Sequence, residues 1–219
     1  MNFKKFALSA LIILFAGISA VNSQQDQRAR EILDKLSSQT ISVPSVFVDF
    51  TITISSPQDQ VNEEFDGNIT IKEDKYRLSI MGLEIWFDGS SIYTYMPDVN
   101  EVMISDPDEN GGFLSNPSEL FTIYPEQFRY RFIGETTHDG NRLYEIDLHP
   151  LDLDQDFHTV KLYIDRQSNF IHSAVVAAKD GNRYIVEVNN YNNTRQVPDS
   201  YFIFNEDDYP GVEVIDMRW

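Results

Sequence analysis

The chain has no cysteine. That excludes a disulfide, a thiolate zinc site, a cysteine nucleophile and an acylated cysteine at a lipoprotein N-terminus. Basic residues are scarce: Lys+Arg number 17 against 35 Asp+Glu, for a formal net charge of −18. A nucleic-acid backbone needs clustered Lys/Arg, and anionic lipid headgroups attract the same, so neither fits this balance. No apolar run reaches the length of about 20 residues that spans a bilayer. Only four histidines occur, His138, His149, His158 and His172, none in an H-x-H or H-E-x-x-H pattern. There is no G-x-S-x-G, no P-loop and no G-x-G-x-x-G. Asp152-Leu153-Asp154-Gln155-Asp156 has the alternating acids of a calcium loop but lacks its central glycine and terminal glutamate, and reads as a solvated turn. The chemistry-bearing patterns are thus missing, and the expectation is a non-enzyme without metal or cofactor. With 35 acids a spatial carboxylate pair remains open, but no local signal favours any one.

What is present begins with an address. Lys4 and Lys5 precede the apolar run 6–18, and small residues Val21 and Ser23 suit a cut before Gln24. Residues 1–23 therefore read as a secretory signal, leaving 24–219 as one exported soluble domain. In 25–39, Ala29, Ile32, Leu33 and Leu36 recur at i, i+3, i+4, i+7, an amphipathic helix that Pro44 stops.

From Val46 the period changes to two. Val46, Val48, Phe50, Ile52 and Ile54 alternate with Phe47, Asp49, Thr51 and Thr53. Comparable strands follow around 65–71, 76–80, 83–87, 92–96, 101–105, 127–135, 142–148, 158–165, 170–178, 183–191 and 201–204. Asp88-Gly89, Asp139-Gly140 and Asp180-Gly181 are hairpin turns of the positive-φ kind. About a dozen short strands with no helices between most of them predict one antiparallel meander. One interruption, Asn116-Pro117-Ser118-Glu119, carries an N-cap, a proline at N1 and an acid at N3. It predicts a second short helix with Leu120, Phe121 and Tyr124 on its apolar side. The expected fold is mainly β with minor α: a large curved antiparallel sheet, with two short helices over its apolar face. That face is then either packed solid or holds a ligand.

Three stretches carry a family resemblance. Glu84–Val102 contains a D-G turn, an aromatic strand ending near Pro97, and Asn100-Glu101-Val102. Gly67–Lys72 followed by Lys75-Tyr76-Arg77-Leu78 is similar to a G-x-L-x-L-K…K-F-R-W hairpin. Phe202-x-Phe204 with Tyr209–Arg218 forms the third. Together, and in this order, they resemble LolA, the periplasmic lipoprotein carrier family. The resemblance implies an incomplete β-barrel with helices as a lid over a cavity that shelters lipoprotein acyl chains. It implies a periplasmic monomer that meets an inner-membrane donor complex and an outer-membrane acceptor, and that uses no cofactor. Relatives of the same fold sense envelope stress or carry other lipids, so a non-carrier interaction module is the alternative.

By alternation, Val48, Phe50, Ile52, Ile69, Ile71, Tyr76, Leu78, Ile80, Ile85 and Phe87 share the apolar face, and they are the candidate acyl-chain contacts. Leu33, Leu36, Leu120 and Phe121 are the candidate lid contacts. The resemblance also implies a basic, lid-closing residue in the first hairpin. Lys72 occupies that place, followed by Glu73-Asp74 where many family members have proline.

Overall fold

The computed structural model describes residues 27–40, 42–58, 61–107 and 127–218. The proposed signal segment and the second helix, with Leu120 and Phe121, lie outside the described residues. Helix α1 spans residues 27–40. It buries Ala29, Ile32, Leu33 and Leu36 along one stripe, as the 3.6-residue period requires.

The remaining regular elements are strands: β1 (Val46–Ser56), β2 (Val61–Lys72), β3 (Lys75–Ile80), β4 (Leu83–Phe87), β5 (Ile92–Met96), β6 (Glu101–Ser105), β7 (Phe128–His138), β8 (Asn141–Pro150), β9 (Phe157–Asp165), β10 (Ile171–Ala178), β11 (Arg183–Asn192) and β12 (Glu213–Asp216). They form one sheet in the order β12-β6-β5-β4-β3-β2-β1-β11-β10-β9-β8-β7. Among the described residues no pairing joins β7 to β12, so the sheet stays open. This is the expected mainly-β, incompletely closed architecture.

Tight turns set the register of the hairpins. Met81-Gly82 and Asp139-Gly140 each place both residues at positive φ. That geometry matches the right-handed twist of the strands they join.

Two features depart from a single antiparallel meander. β1 pairs with β2 on one side and with β11 on the other, so two meanders meet at β1. β12 runs parallel to β6 at the edge. The expected strand at 201–204 is instead a 3-10 turn, Asp199–Phe202, with irregular chain after it. Pro198 precedes this turn, and backbone bonds from Tyr201 N–H to the Pro198 carbonyl and from Ile203 N–H to the Ser200 carbonyl close it on itself. Those two N–H groups are then taken from any strand ladder there.

The inner face is the one that carries α1. Cross-strand pairs Val46–Ile71, Val48–Ile69 and Phe50–Gly67 lie on it in sequence. Leu33 and Leu36 pack into one apolar cluster with Val48, Ile69, Ile146, Leu162 and Ala174, drawn from both sides of β1. Gly67 has a packing role. A Cβ there would stand 2.7 Å from the Phe50 ring and 3.0 Å from the Ser79 carbonyl. The missing side chain is what lets the ring lie across β2.

The outer face of β4–β6 is covered by the chain that follows β11. Trp86, opposite in direction to Ile85 and Phe87, is 2% exposed and sits edge-on to Phe204 and Tyr209, with centroids 5.4 and 5.9 Å away. Phe204 stacks on Tyr93 and Tyr209, and Tyr95 contacts Tyr209 at 4.5 Å. Phe202, in the same strap, is fully buried.

Candidate functional site: the inner apolar face

All ten strand residues expected on the apolar face pack into the cluster beneath α1 or against it. They are not equally covered. Val48 and Ile69 are fully enclosed, and Phe50, Ile71, Tyr76 and Leu78 nearly so. Ile52, Ile80, Ile85 and Phe87 are only half-buried. The gradient follows from geometry. α1 is a helix of 14 residues, about 21 Å long, and cannot cover twelve strands. Its buried residues share their cluster with β1, the Ile69–Ile71 end of β2, Tyr76 and Leu78 of β3, and β7–β11, while β4–β6 contribute no fully buried residue to it.

Register adds residues that the sequence reading did not single out. Thr94 pairs with Ile85, Ile92 with Phe87, and Met103 with Thr94, so the same face continues across β5 and β6. All of these are half-buried. Their period-two pattern is present in the sequence, but mixed with Thr and Tyr it does not stand out as apolar. Tyr76 and Phe87 meet at 5.5 Å between ring centroids and mark the border between the enclosed and half-covered parts.

The expected lid residues Leu33 and Leu36 are 1% and 3% exposed, on the stripe of α1 that faces the sheet. Lys72 points the other way. Its ammonium donates to Asp199 Oδ1 at 2.5 Å and to the Val197 carbonyl at 3.3 Å. Lys75 donates to the second Asp199 oxygen at 3.1 Å. The two ammonium groups hold the Asp199 carboxyl below the ordinary carboxylate range, and the bond to Asp199 raises Lys75. The contacts of Lys72 therefore fasten the strap after β11.

A cleft of about 490 Å³ opens at the C-terminal end of α1, lined by Thr40, Pro44, Ile71, Lys72, Glu73 and Val197 among others. Its lining is as much polar as apolar. Nearby, the buried hydroxyl of Tyr191 has no hydrogen-bond partner of good geometry. Burial pushes it up to about 12, and Thr40, close by, offsets this only in part. The Thr40 hydroxyl itself donates to the Leu36 carbonyl. Phe170 covers the other side of Tyr191 in a stack at 3.8 Å.

No group of three or more His, Asp or Glu side chains among the described residues could hold a metal ion. Asp152–Asp156 forms a turn in which Asp152 accepts from the Asp154 N–H at 2.9 Å, with Lys179 donating to the Leu153 carbonyl. The arrangement on the inner face can bury hydrocarbon.

The outer membrane lipoprotein carrier protein LolA family model matches residues 19–181. No curated protein matches in sequence. Among solved structures, a domain described as outer membrane lipoprotein-sorting from Vibrio parahaemolyticus superposes with a TM-score of 0.52 at 9% identity, covering 84% of this chain and 99% of that one. An uncharacterised conserved protein from Thermus thermophilus gives 0.55 at 14% identity, over 86% and 99%. A DUF1329 family protein from Desulfovibrio piger gives 0.51 at 11%, over 84% and 99%. At these identities the structural matches speak for the fold alone. The family model covers well over half of the sequence, and the chain belongs to the LolA outer membrane lipoprotein carrier family.

Proposed function

We propose that this protein is a non-enzymatic periplasmic carrier that holds acyl chains against the inner face of β3–β6 and moves lipoproteins from the inner to the outer membrane. The observation that carries the reading is the uneven cover of one continuous apolar face. Ile80, Ile85 and Phe87 keep exposed surface, while their neighbours Leu78 and Ile69 are sealed. Burying a methylene is worth about 0.8 kcal/mol, so an acyl chain of a dozen methylenes would supply roughly 10 kcal/mol. A carrier also has to release its cargo. A face half-covered in the resting state binds less tightly than a sealed tunnel, which suits a shuttle. Transfer of this kind needs no bond chemistry. The donor complex, the acceptor and the signal-directed export belong to the same proposal and are supported by family membership.

A second reading has one observation behind it. Lys72, the candidate lid-closing residue, is committed to Asp199 and Val197. With that residue occupied, the scaffold serves instead as an interaction module for another envelope protein. Native mass spectrometry of the protein purified from its own envelope separates the two. Lipid or lipoprotein adducts, with uptake of a fluorescent fatty-acyl probe, support the carrier. No adduct and no uptake, with one stoichiometric protein partner, overturns it.

A further inference from the structure

We propose that the cleft between the β7–β8 turn and the β9–β10 turn is a binding site for a phosphate-class oxyanion, held by Arg142 and Arg166. The cleft has a volume of about 370 Å³, with Asn141 and Arg142 on one wall and Asp165, Arg166 and Gln167 on the other. The walls are fixed to each other by the Arg166 N–H, which donates to the Arg142 carbonyl at 2.9 Å.

Beside the cleft three guanidinium groups converge on one carboxylate, and two of them, Arg142 and Arg166, line the cleft itself. Arg28, in the first turn of α1, reaches Glu135 at 2.6 Å. Arg166 binds the other Glu135 oxygen. Arg142 comes no nearer than 3.9 Å, outside hydrogen-bond range, and its guanidinium has no acceptor among the described residues. The buried Nε of Arg166 is also without a partner. A single carboxylate offers about four lone-pair sites against fifteen guanidinium N–H donors, so most of the donors stay unmet.

Asp165, the acid that lines the cleft, and Glu135 beside it stand against three arginines, which leaves one positive charge in excess. Asp165 is already bonded by the Gln167 N–H, the Ser168 N–H and the Ser168 hydroxyl, at 3.0, 2.7 and 2.9 Å. All three of these bonds are accepted by Oδ1, within its own turn. Two of the guanidinium groups lie over aromatic rings: Arg28 is 4.3 Å from the Phe132 centroid and Arg166 5.2 Å from that of Tyr144. Such contact orients the planar forks at little entropic cost, and the forks match the oxygen spacing of a phosphate. The arrangement stands out in a chain with a net charge of −18, where cations are otherwise sparse. A headgroup phosphate and free phosphate present the same oxygens to it.

The test titrates the full mature chain with inorganic phosphate, following arginine Nε–H resonances. In parallel it measures sedimentation with phosphatidylglycerol and phosphatidylcholine vesicles. Saturable phosphate binding identifies a free-anion site, and binding to phosphatidylglycerol alone identifies a headgroup site. In either case Arg142→Gln should weaken binding about tenfold, the worth of one charge-assisted bond. Its side chain is 71% exposed, so the variant should fold normally. Arg30→Gln, whose partner is Asp34 at 3.7 Å elsewhere on α1, should change nothing. Glu135→Gln separates a ligand site from a purely structural ion-pair network. It frees two guanidinium groups and should tighten anion binding, whereas a structural network would lose stability with no gain in binding. Absence of both phosphate and phosphatidylglycerol binding overturns the proposal, as does unchanged binding in Arg142→Gln. Neither result depends on whether acyl chains bind at β3–β6.

Discussion

The two halves of the sheet use the same strand pattern to different ends. In β8–β10 the inner residues Ile146, Leu148, Val160, Leu162, Ile164 and Ala174 are completely enclosed beneath α1. In β4–β6 the matching positions, Ile85, Phe87, Ile92 and Met103, keep part of their surface. The outer faces are reversed. Outside β8–β9 lies a polar ladder in which Lys161 bonds Glu145 and Asp147 at 2.6 and 2.7 Å. Outside β4–β6 lies the aromatic strap with Trp86 buried in it. The half with the half-open inner face is thus stabilised from behind. Strands whose inner face is only half-covered gain packing elsewhere, and here the C-terminal strap supplies it.

Substitutions that weigh one half against the other test this division. The largest effect is expected from Phe202→Ala in the strap, about 4 kcal/mol of unfolding free energy by denaturant titration, because a fully buried ring is lost. Leu162→Ala in the enclosed half should cost about 3 kcal/mol. Gly67→Ala should follow at about 2 kcal/mol, since the new Cβ forces the Phe50 ring to move. Ile85→Ala in the half-covered part should cost only about 1 kcal/mol, yet weaken uptake of an acyl probe. An Ile85→Ala cost equal to that of Leu162→Ala would mean that the two halves are equally sealed, and the comparison would fail.

The smallest expected effect is on pH. The folded Asp199 carboxyl is depressed by Lys72 and Lys75. Its contribution is therefore complete above the unfolded carboxylate value near about 4 and is lost as pH falls through the lower folded value. Asp216, brought down to about 2 by Arg218, behaves in the same direction. Trp86 fluorescence in a Trp219→Phe background should report loosening of the strap only in acid. Loosening on raising the pH from 5 to 8, about the range where carboxylates stay charged, would contradict the assignment.

Much of the fold was legible because strand alternation and turn chemistry are local. Val48, Phe50, Ile69 and Leu78 could be placed on one face from their spacing, and Asp139-Gly140 from its turn type. The pairing of β1 with β11 could not, because Asp49–Asn190 and its neighbours join segments about 140 positions apart with no local signal. The parallel docking of β12 on β6 is hidden for the same reason. Lys72 could be singled out by its place in the hairpin, but its bond to Asp199 could not, since that partner is 127 positions away. The arginine cluster was invisible in the sequence, since Arg28, Arg142 and Arg166 meet only when α1 and the hairpin ends come together around Glu135. The expected contacts of Leu120 and Phe121 lie outside the described residues.

In the proposed carrier, hydrocarbon rests against β3 and β4. Irradiation of the protein with a photoactivatable fatty acid, followed by mass-spectrometric mapping of the adducts, reads that position directly. Adducts are expected at Ile80, Ile85 and Phe87. Labelling confined to the outer-face residues Trp86 and Tyr95, or no labelling at all, would contradict this placement.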